Sequence, residues 1–230
     1  MNRASRSEAF DLEAPSIHPT AIVEPSVQIG DGTAVWDSVH LRGPSTIGRQ
    51  CIIGEKTYVA CGVDVADRVK INAHVYVCTG VTIETAAMIA AGVVFTNDRF
   101  PRAFAGNIDE LATSEPTADT LPTFVRRGVT IGARAAIGPG IEIGEFALVG
   151  MGAVVVGDVP AHGLVYGNPA RLRGYVCICG LPLISLGESS APADKAGSCQ
   201  RCRRRFDFAA SQSGRSSLSF TTEARAAIAS

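Results

Sequence analysis

The sequence has little aromatic or charged bulk. Phe, Trp and Tyr make up 6% of its 230 residues, with one tryptophan, so few aromatic rings are available to a core. Charged residues make up 19% and the formal net charge is −1. No field of one sign draws the chain to nucleic acid or to a charged membrane. No apolar run reaches the ~20 residues of a membrane span, so bilayer insertion is not expected. The opening stretch MNRASRSEAFDLEAP has no apolar centre, and no secretory signal is expected from it. Only four histidines are present. The seven cysteines are odd in number, which points to a reducing cytoplasm and not to a disulfide framework.

What is present is a period of six. From Ile17, steps of six land on Val23, Ile29, Val35, Leu41, Ile47, Ile53, Val59, Val65, Ile71, Val77, Ile83, Ile89 and Phe95. After a gap the phase resumes at Val125, Ile131, Ile137, Ile143, Val149 and Val155. Two residues earlier stand small or β-branched residues, such as Ala21, Val27, Thr33, Cys51 and Val63. One residue later stands glycine at Gly30, Gly48, Gly54, Gly132, Gly138, Gly144 and Gly150. A helix would need a period of 3.6, and an ordinary antiparallel strand would not break every sixth residue.

Such a unit is a short strand reading out, in, out, in, followed by a corner. The inward pair is the small residue and the aliphatic one, and glycine suits the corner backbone. Three units close a triangular coil of eighteen residues. Coils stacked ~4.8 Å apart pair in parallel. Each buried aliphatic side chain contributes roughly 1.5–3 kcal/mol. The expected fold is an all-β parallel helix of about eight coils.

Residues 96–124 interrupt the phase, and a loop of that length leaving a regular rod is read as functional. Eighteen-residue stacking puts Ser38, Lys56, His74 and Gly92 in one outward column. His40, Tyr58, Tyr76 and Val94 lie beside it. The strand ending at Phe95 is expected to deliver Thr96, Asn97 and Asp98 to the same corner. His40, Lys56, Tyr58, His74, Tyr76, Asn97 and Asp98 are therefore expected to gather on one face. Each alone is an ordinary surface group; together they read as a binding face or a subunit interface.

The repeat over residues 15–175 resembles the hexapeptide-repeat acyltransferase superfamily, whose members are left-handed parallel β-helices. The handedness follows from the resemblance alone and runs against the right-handed rule for parallel crossovers. The stretch VKINAHVYVCTGVTIETAAMIAAGVVFTNDRFPRA is similar to nucleotide-sugar N-acetyltransferases, most specifically in FTND followed by Pro101 and Arg102. That resemblance implies transfer of acetyl from acetyl-CoA to the amine of a nucleotide-linked amino sugar destined for surface polysaccharide, by a homotrimer. It places His74 in the catalytic region as candidate general base, where several relatives carry asparagine and are thought to need no enzymic base. The other members of the stacked cluster become candidate substrate contacts. The segment VYGNPARLRG resembles the superfamily's final turn beside the coenzyme A arm. It implies cofactor contacts at Asn168, Pro169, Ala170, Arg171 and Arg173, with guanidinium matched to phosphate.

Beyond residue 175 the composition changes. Cys177-x-Cys179 is followed by Cys199-x-x-Cys202, a spacing that can close a tetrahedral structural zinc site. Gly180 suits a zinc-ribbon knuckle, although the first pair has one spacer residue where two are usual. Four thiolates would leave no open position for substrate. Cys51 reads as core filler, and Cys61 and Cys78 as turn residues. The expected organisation is an unstructured stretch at 1–14, the β-helix at 15–174, a zinc-ribbon-like module at 175–208, and an unstructured tail at 209–230. Three rivals stand beside the leading reading: an O-acetyltransferase acting on a hydroxyl acceptor, a zinc enzyme of the carbonic-anhydrase type, and a non-catalytic scaffold. The zinc enzyme needs three converging histidines, and only two fall on one face.

Overall fold

The computed structural model describes residues 13–117, 120–186, 194–209 and 216–220. Among these there is no helix, and so none long and apolar enough to cross a membrane. The chain winds as a parallel β-solenoid of about eight turns with three flat faces.

Each turn contributes one short strand to each face. The first face stacks Ser16–Ile17, Ala34–Val35, Ile52–Ile53, Lys70–Ile71, Met88–Ile89, Thr130–Ile131, Leu148–Val149 and Gly163–Gly167. The second face runs from Ile22–Val23 through Tyr58–Val59, Tyr76–Val77 and Val94–Phe95 to Val154–Val155. The third runs from Val27–Ile29 to Glu142–Ile143. Register partners lie eighteen residues apart, as in Ile71 with Ile53 and Tyr76 with Tyr58. Across the interruption Met88 pairs with Thr130 and Val94 with Ala136, so the inserted segment leaves the phase intact.

The inward pairs fill the rod as the period of six requires. Val39 with Leu41, Cys51 with Ile53, Val69 with Ile71 and Val93 with Phe95 are all buried in one continuous core. Where the small inward residue is threonine, its hydroxyl is satisfied locally. Thr33 donates to the Gly48 carbonyl at 2.7 Å and accepts from the Cys51 amide at 2.9 Å. Cys51 is core filler as expected, whereas Cys78 is buried in the core and is no surface turn residue.

The corners differ from expectation. The glycine after the aliphatic residue is demanded by crowding: a Cβ on Gly54 would lie 2.6 Å from the backbone of Asn72 and Ala73 in the coil above. The left-handed backbone falls two residues later and is usually occupied by other residues. Ser38, Lys56 and His74 share φ values of 56 to 58°. His74 is thus a corner residue, and the strand begins at Tyr76, not at 74 as the repeat alone suggested.

The loop returns to the rod by Thr123, which opens the strand Thr123–Val125. It carries its own antiparallel pair, Phe104–Ala105 with Asn107–Leu111. At the far end, Gly163–Gly167 turns back on Ala170–Val176, and Pro182–Ser185 extends that sheet. A separate sheet of Lys195–Ser198, Arg205–Ala209 and Ser217–Phe220 follows. Ser217–Phe220 falls inside the stretch expected to lack structure; Leu218 alternates inward beside Phe206 and Phe208, which makes it a strand. The rest of the expected unstructured ends, 1–12, 210–215 and 221–230, lies outside the described residues.

Neighbouring isoleucines test the alternation. Ile53 is fully buried and Ile52, one position earlier on the same strand, is 39% exposed. Ile53→Ala should cost ~2–5 kcal/mol in denaturant unfolding, and Ile52→Ala under about 1 kcal/mol. Equal losses would refute the assigned inward face.

Candidate functional site

The predicted cluster divides along the second face. Lys56 and His74 stand on the corner between the first and second faces, one coil apart, both exposed. His40, Tyr58 and Tyr76 stack up the second face in register. Asn97 and Asp98 sit on the opposite corner, between the second and third faces. The register that pairs Tyr76 with Val94 puts Asn97 above Thr79, and Gly92 above His74. The sequence expectation of one shared corner is therefore wrong, because the two-residue strand and its flanking residues separate the two groups. Within one chain, a strand's width lies between His74 and the FTND corner.

Each half has its own geometry. The Lys56 ammonium reaches Asp37 at 3.6 Å. The His40 ring meets Tyr58 edge-on at 5.5 Å, and Tyr58 stacks on Tyr76 at 5.2 Å with rings 6° from parallel. His40 Nε2 lies 3.4 Å from Glu24 Oε1, which Arg42 Nε also contacts at 3.1 Å. The Gly43 amide, followed by Arg42, holds the Glu24 carboxyl below the usual carboxylate range. Burial pushes the Tyr76 phenol up. On the other corner, Asp98 Oδ1 accepts the Phe100 amide at 2.9 Å, and the Asn97 carbonyl accepts the Leu121 amide at 3.1 Å. These bonds fold the loop back over a cavity of about 320 Å³ lined by Asn97, Asp98, Thr79, Thr113, Ser114 and Glu115, among others. The loop hydroxyls were not singled out from the sequence; the run of Thr and Ser between Leu111 and Leu121 was the available signal.

The outward side chains of the second face are nearly all uncharged: Ile22, His40, Tyr58, Tyr76, Val94, Ala136 and Val154. The matching ladder on the third face, Gln28, Thr46, Asp64, Thr82, Phe124 and Glu142, is polar except for Phe124. Arg126 bridges Glu84 at 2.8 Å and Glu142 at 2.6 Å there, an ion-pair ladder between coils.

Asn168, Pro169 and Ala170 form the tip of the hairpin at the end of the rod, and Arg171 leads out of it, exposed. Arg173 is half-buried with its guanidinium 5.7 Å over the Tyr166 ring. A cavity of about 160 Å³ lies against Ala170, Arg171 and Leu172 and the Val155–Pro160 segment.

Four sulfurs converge in the tail. Cys177 lies 3.4 Å from Cys202 and Cys179 3.6 Å from Cys199, and all four Sγ atoms lie within 4.8 Å of one another. A tetrahedral Zn–S site with ~2.3 Å bonds puts its sulfurs ~3.8 Å apart, so the donor set fits. Each knuckle closes by a backbone bond, the Gly180 amide donating to Cys177 O at 2.7 Å across three residues and the Arg203 amide to Cys199 O at 2.9 Å across four. The single spacer of the first pair is no obstacle to convergence. Burial pushes the Cys177 thiol up. Partial burial also acts on Cys202, but the lowering effects of Arg204, Cys177 and Cys179 together outweigh it and bring that thiol down to about 6.

The model of the hexapeptide repeat of succinyl-transferase matches residues 44–79 and 127–156. The chain carries hexapeptide repeats of that kind over those two segments. Over 87 residues, 38% of the chain, it is 44% identical to the dTDP-3-amino-3,6-dideoxy-alpha-D-galactopyranose 3-N-acetyltransferase of Aneurinibacillus thermoaerophilus, spanning 41% of that enzyme. Over 64 residues, 28% of the chain, it is 42% identical to serine acetyltransferase 4 of Arabidopsis thaliana, spanning 18% of it. The chain thus spans less than half the length of these relatives. Its fold is similar to that of AntD, an N-acyltransferase from Bacillus cereus. A complex with dTDP-4-amino-4,6-dideoxyglucose and coenzyme A aligns at TM-score 0.55 and 20% identity, covering 63% of this chain and 81% of that one.

His162 ties the rod to the tail. His162 is 8% exposed, its ring stacked 5.3 Å from Phe146 and tilted against Phe220 at 4.9 Å, with Nδ1 unpartnered among the described residues. Glu145 and Arg127, themselves paired at 3.0 Å, are the charges beside it. Burial holds the imidazole below its ordinary range. A lowered folded-state pKa gives stability that is complete above the unfolded value of ~6.5 and lost as pH falls through the folded value. Hydrogen exchange at 205–209, corrected for intrinsic rates, should therefore quicken as pH drops from about 7 to about 5. In His162→Leu that pH dependence should vanish; a pH-independent wild type would contradict this assignment.

Proposed function

We propose that the protein is an acetyl-CoA-dependent N-acetyltransferase acting on the amine of a nucleotide-linked amino sugar, in surface polysaccharide synthesis. The observation that carries this reading is the placement of polar groups at both edges of an apolar face: His74 on one corner, Asn97 and Asp98 with a hydroxyl-lined cavity on the other. The likeness to an amino-sugar N-acetyltransferase over 87 residues supports it.

A homotrimer completes the site. The second face, with Tyr76 46% and Val94 41% exposed, turns toward a threefold axis. Both corners of that face then approach neighbours, and His74 of one copy meets Asn97 and Asp98 of the next. A head-to-tail contact of this kind closes into a ring when its rotation is a third of a turn. The solenoid winds left-handed, and the protein works in the cytoplasm, where acetyl-CoA and reduced thiols coexist.

In the reaction the neutral sugar amine attacks the thioester carbonyl. A C–N bond forms, the C–S bond breaks, and the amine proton passes through His74 to the departing sulfur of coenzyme A. Asn97 and Asp98 hold the sugar and orient the base. His40, Tyr58, Tyr76 and Lys56 contact the nucleotide-sugar. Arg171 and Arg173, with the hairpin Asn168–Ala170, hold coenzyme A, guanidinium against phosphate. Cys177, Cys179, Cys199 and Cys202 hold a structural zinc ion, which joins the strand Ala170–Val176 to the last sheet and leaves no position open for substrate.

Thiol release from acetyl-CoA, measured against a panel of UDP- and dTDP-linked amino sugars, tests the reading. One amino sugar should stimulate release, and its hydroxyl counterpart should not; stimulation by hydroxyl sugars alone would establish the O-acetyltransferase instead. His74→Ala should lower kcat by ~10²–10⁴-fold with little change in KM. His74→Asn is the sharper variant, because asparagine tolerates the left-handed backbone at this corner. If His74→Asn keeps nearly full kcat, the general-base role is wrong.

A further inference from the structure

Two substrates that meet at His74 must approach it from different coils. Under the amino-sugar reading, coenzyme A is held by the hairpin Gly163–Gly167 with Ala170–Val176, in coils above His74. The acceptor then extends the other way, into the coils below. The corner that carries His74 continues there in strict register. The His74 amide donates to Glu55 O at 2.9 Å and the Lys56 amide to Asp37 O at 3.0 Å, so Ser38, Lys56 and His74 stand one above another. At the foot of this ladder, directly after the first-face strand Ala34–Val35, stands Trp36.

Trp36 is the only tryptophan of the chain, and it is 53% exposed. Among the described residues its ring meets no other ring and no cation, and its indole N–H has no acceptor. The register that sets Val35 beside Ile53 puts Gly54 over Trp36, and glycine brings no side chain to cover the ring. The tyrosines differ: Tyr58 and Tyr76 lie 5.2 Å apart and 6° from parallel, so each gives a face to the other. Beside Trp36 the Lys56 ammonium and the Asp37 carboxylate form a half-exposed pair at 3.6 Å. An exposed pair of this kind holds little energy, so both groups are available to a ligand.

We propose that Trp36 is the platform on which the base of the nucleotide-linked acceptor stacks, and that it selects this acceptor over a free sugar. This rests on the amino-sugar reading above. The base lies two coils below His74, the diphosphate beside Lys56, and the sugar amine at His74. Asp37 accepts from a ribose hydroxyl. Two coil spacings, roughly 10 Å, separate Trp36 from His74. A nucleoside diphosphate fills that interval, whereas a free sugar at His74 leaves the indole untouched. Every base has a π-face, so stacking on the indole adds affinity for the nucleotide without reading which base it carries.

A sole tryptophan makes its own fluorescence the readout. The full chain is titrated with UDP and with dTDP, free tryptophan serving as the absorbance control, and calorimetry is run on the same samples. A nucleotide that binds by calorimetry should quench the emission saturably, with the same midpoint. Trp36→Ala should weaken its binding roughly 5- to 150-fold, and Trp36→Phe should keep most of the affinity. The KM for acetyl-CoA should not change in either variant. If neither nucleotide nor any nucleotide-linked amino sugar binds, the amino-sugar reading falls and the platform with it. If a nucleotide binds without quenching and Trp36→Ala binds it as tightly as wild type, the platform is refuted and the amino-sugar reading stands. If Trp36→Ala breaks the assembly in light scattering and bound nucleotide leaves wild-type emission unchanged, Trp36 is a contact between copies and the proposal is refuted.

Discussion

Parallel stacking of coils ~4.8 Å apart, each an exact multiple of the six-residue unit, is the constraint on which everything else in this molecule depends. It puts Val59 over Leu41 and Val77 over Val59 in the core, and by the same register puts Tyr76 over Tyr58 over His40 outside it. A column of side chains one coil apart comes free of any further encoding. The cost falls at the corners, where Gly54 must lack a Cβ for the coil above to approach, and where His74 and Lys56 must accept a left-handed backbone. The candidate functional side chains all come from those same corners and ladders because the inward positions are already committed to the core.

The period of six made the rod, its inward residues and the eighteen-residue columns legible before any coordinates. It could not place a residue around the triangle's perimeter at a given corner with the same certainty, because strand and corner residues both point outward. His74 reads as the first residue of a strand in the repeat, and only its φ of 58° marks it as a corner. Asn97 and Asp98 follow their strand while His74 precedes its own, so a strand's width separates them; that was implicit in the order of residues along one repeat. The cavity over Asn97 depends on how residues 101–117 fold back, and no period reaches into that segment.

The tail follows different physics. Its apolar cluster is small, built on Tyr175, Ile184, Phe206, Phe208 and Leu218. Cysteine spacing announced the convergence of four sulfurs, but spacing says nothing of the His162 ring packed between Phe146 and Phe220. Phe146 lies below His162 at the equivalent corner of the preceding coil, but the contact with Phe220 joins residues far apart in the chain and belongs to no repeat. Small sheets of this size generally need a covalent or metal staple, which is the part proposed for the cysteine cluster.

In the proposed trimer one chain holds two half-sites and neighbouring copies make them whole. Complementation tests it most directly. Chains carrying His74→Ala and chains carrying Asp98→Ala, each inactive alone, are unfolded, mixed in equal amounts and reassembled. If the site lies between copies, random assembly leaves both residues intact at about a quarter of the interfaces of a closed ring, and the mixture should recover about a quarter of wild-type activity. A reassembled mixture as inactive as either variant alone would place His74 and Asp98 in the same site of the same chain, or outside the site altogether, and would contradict the account.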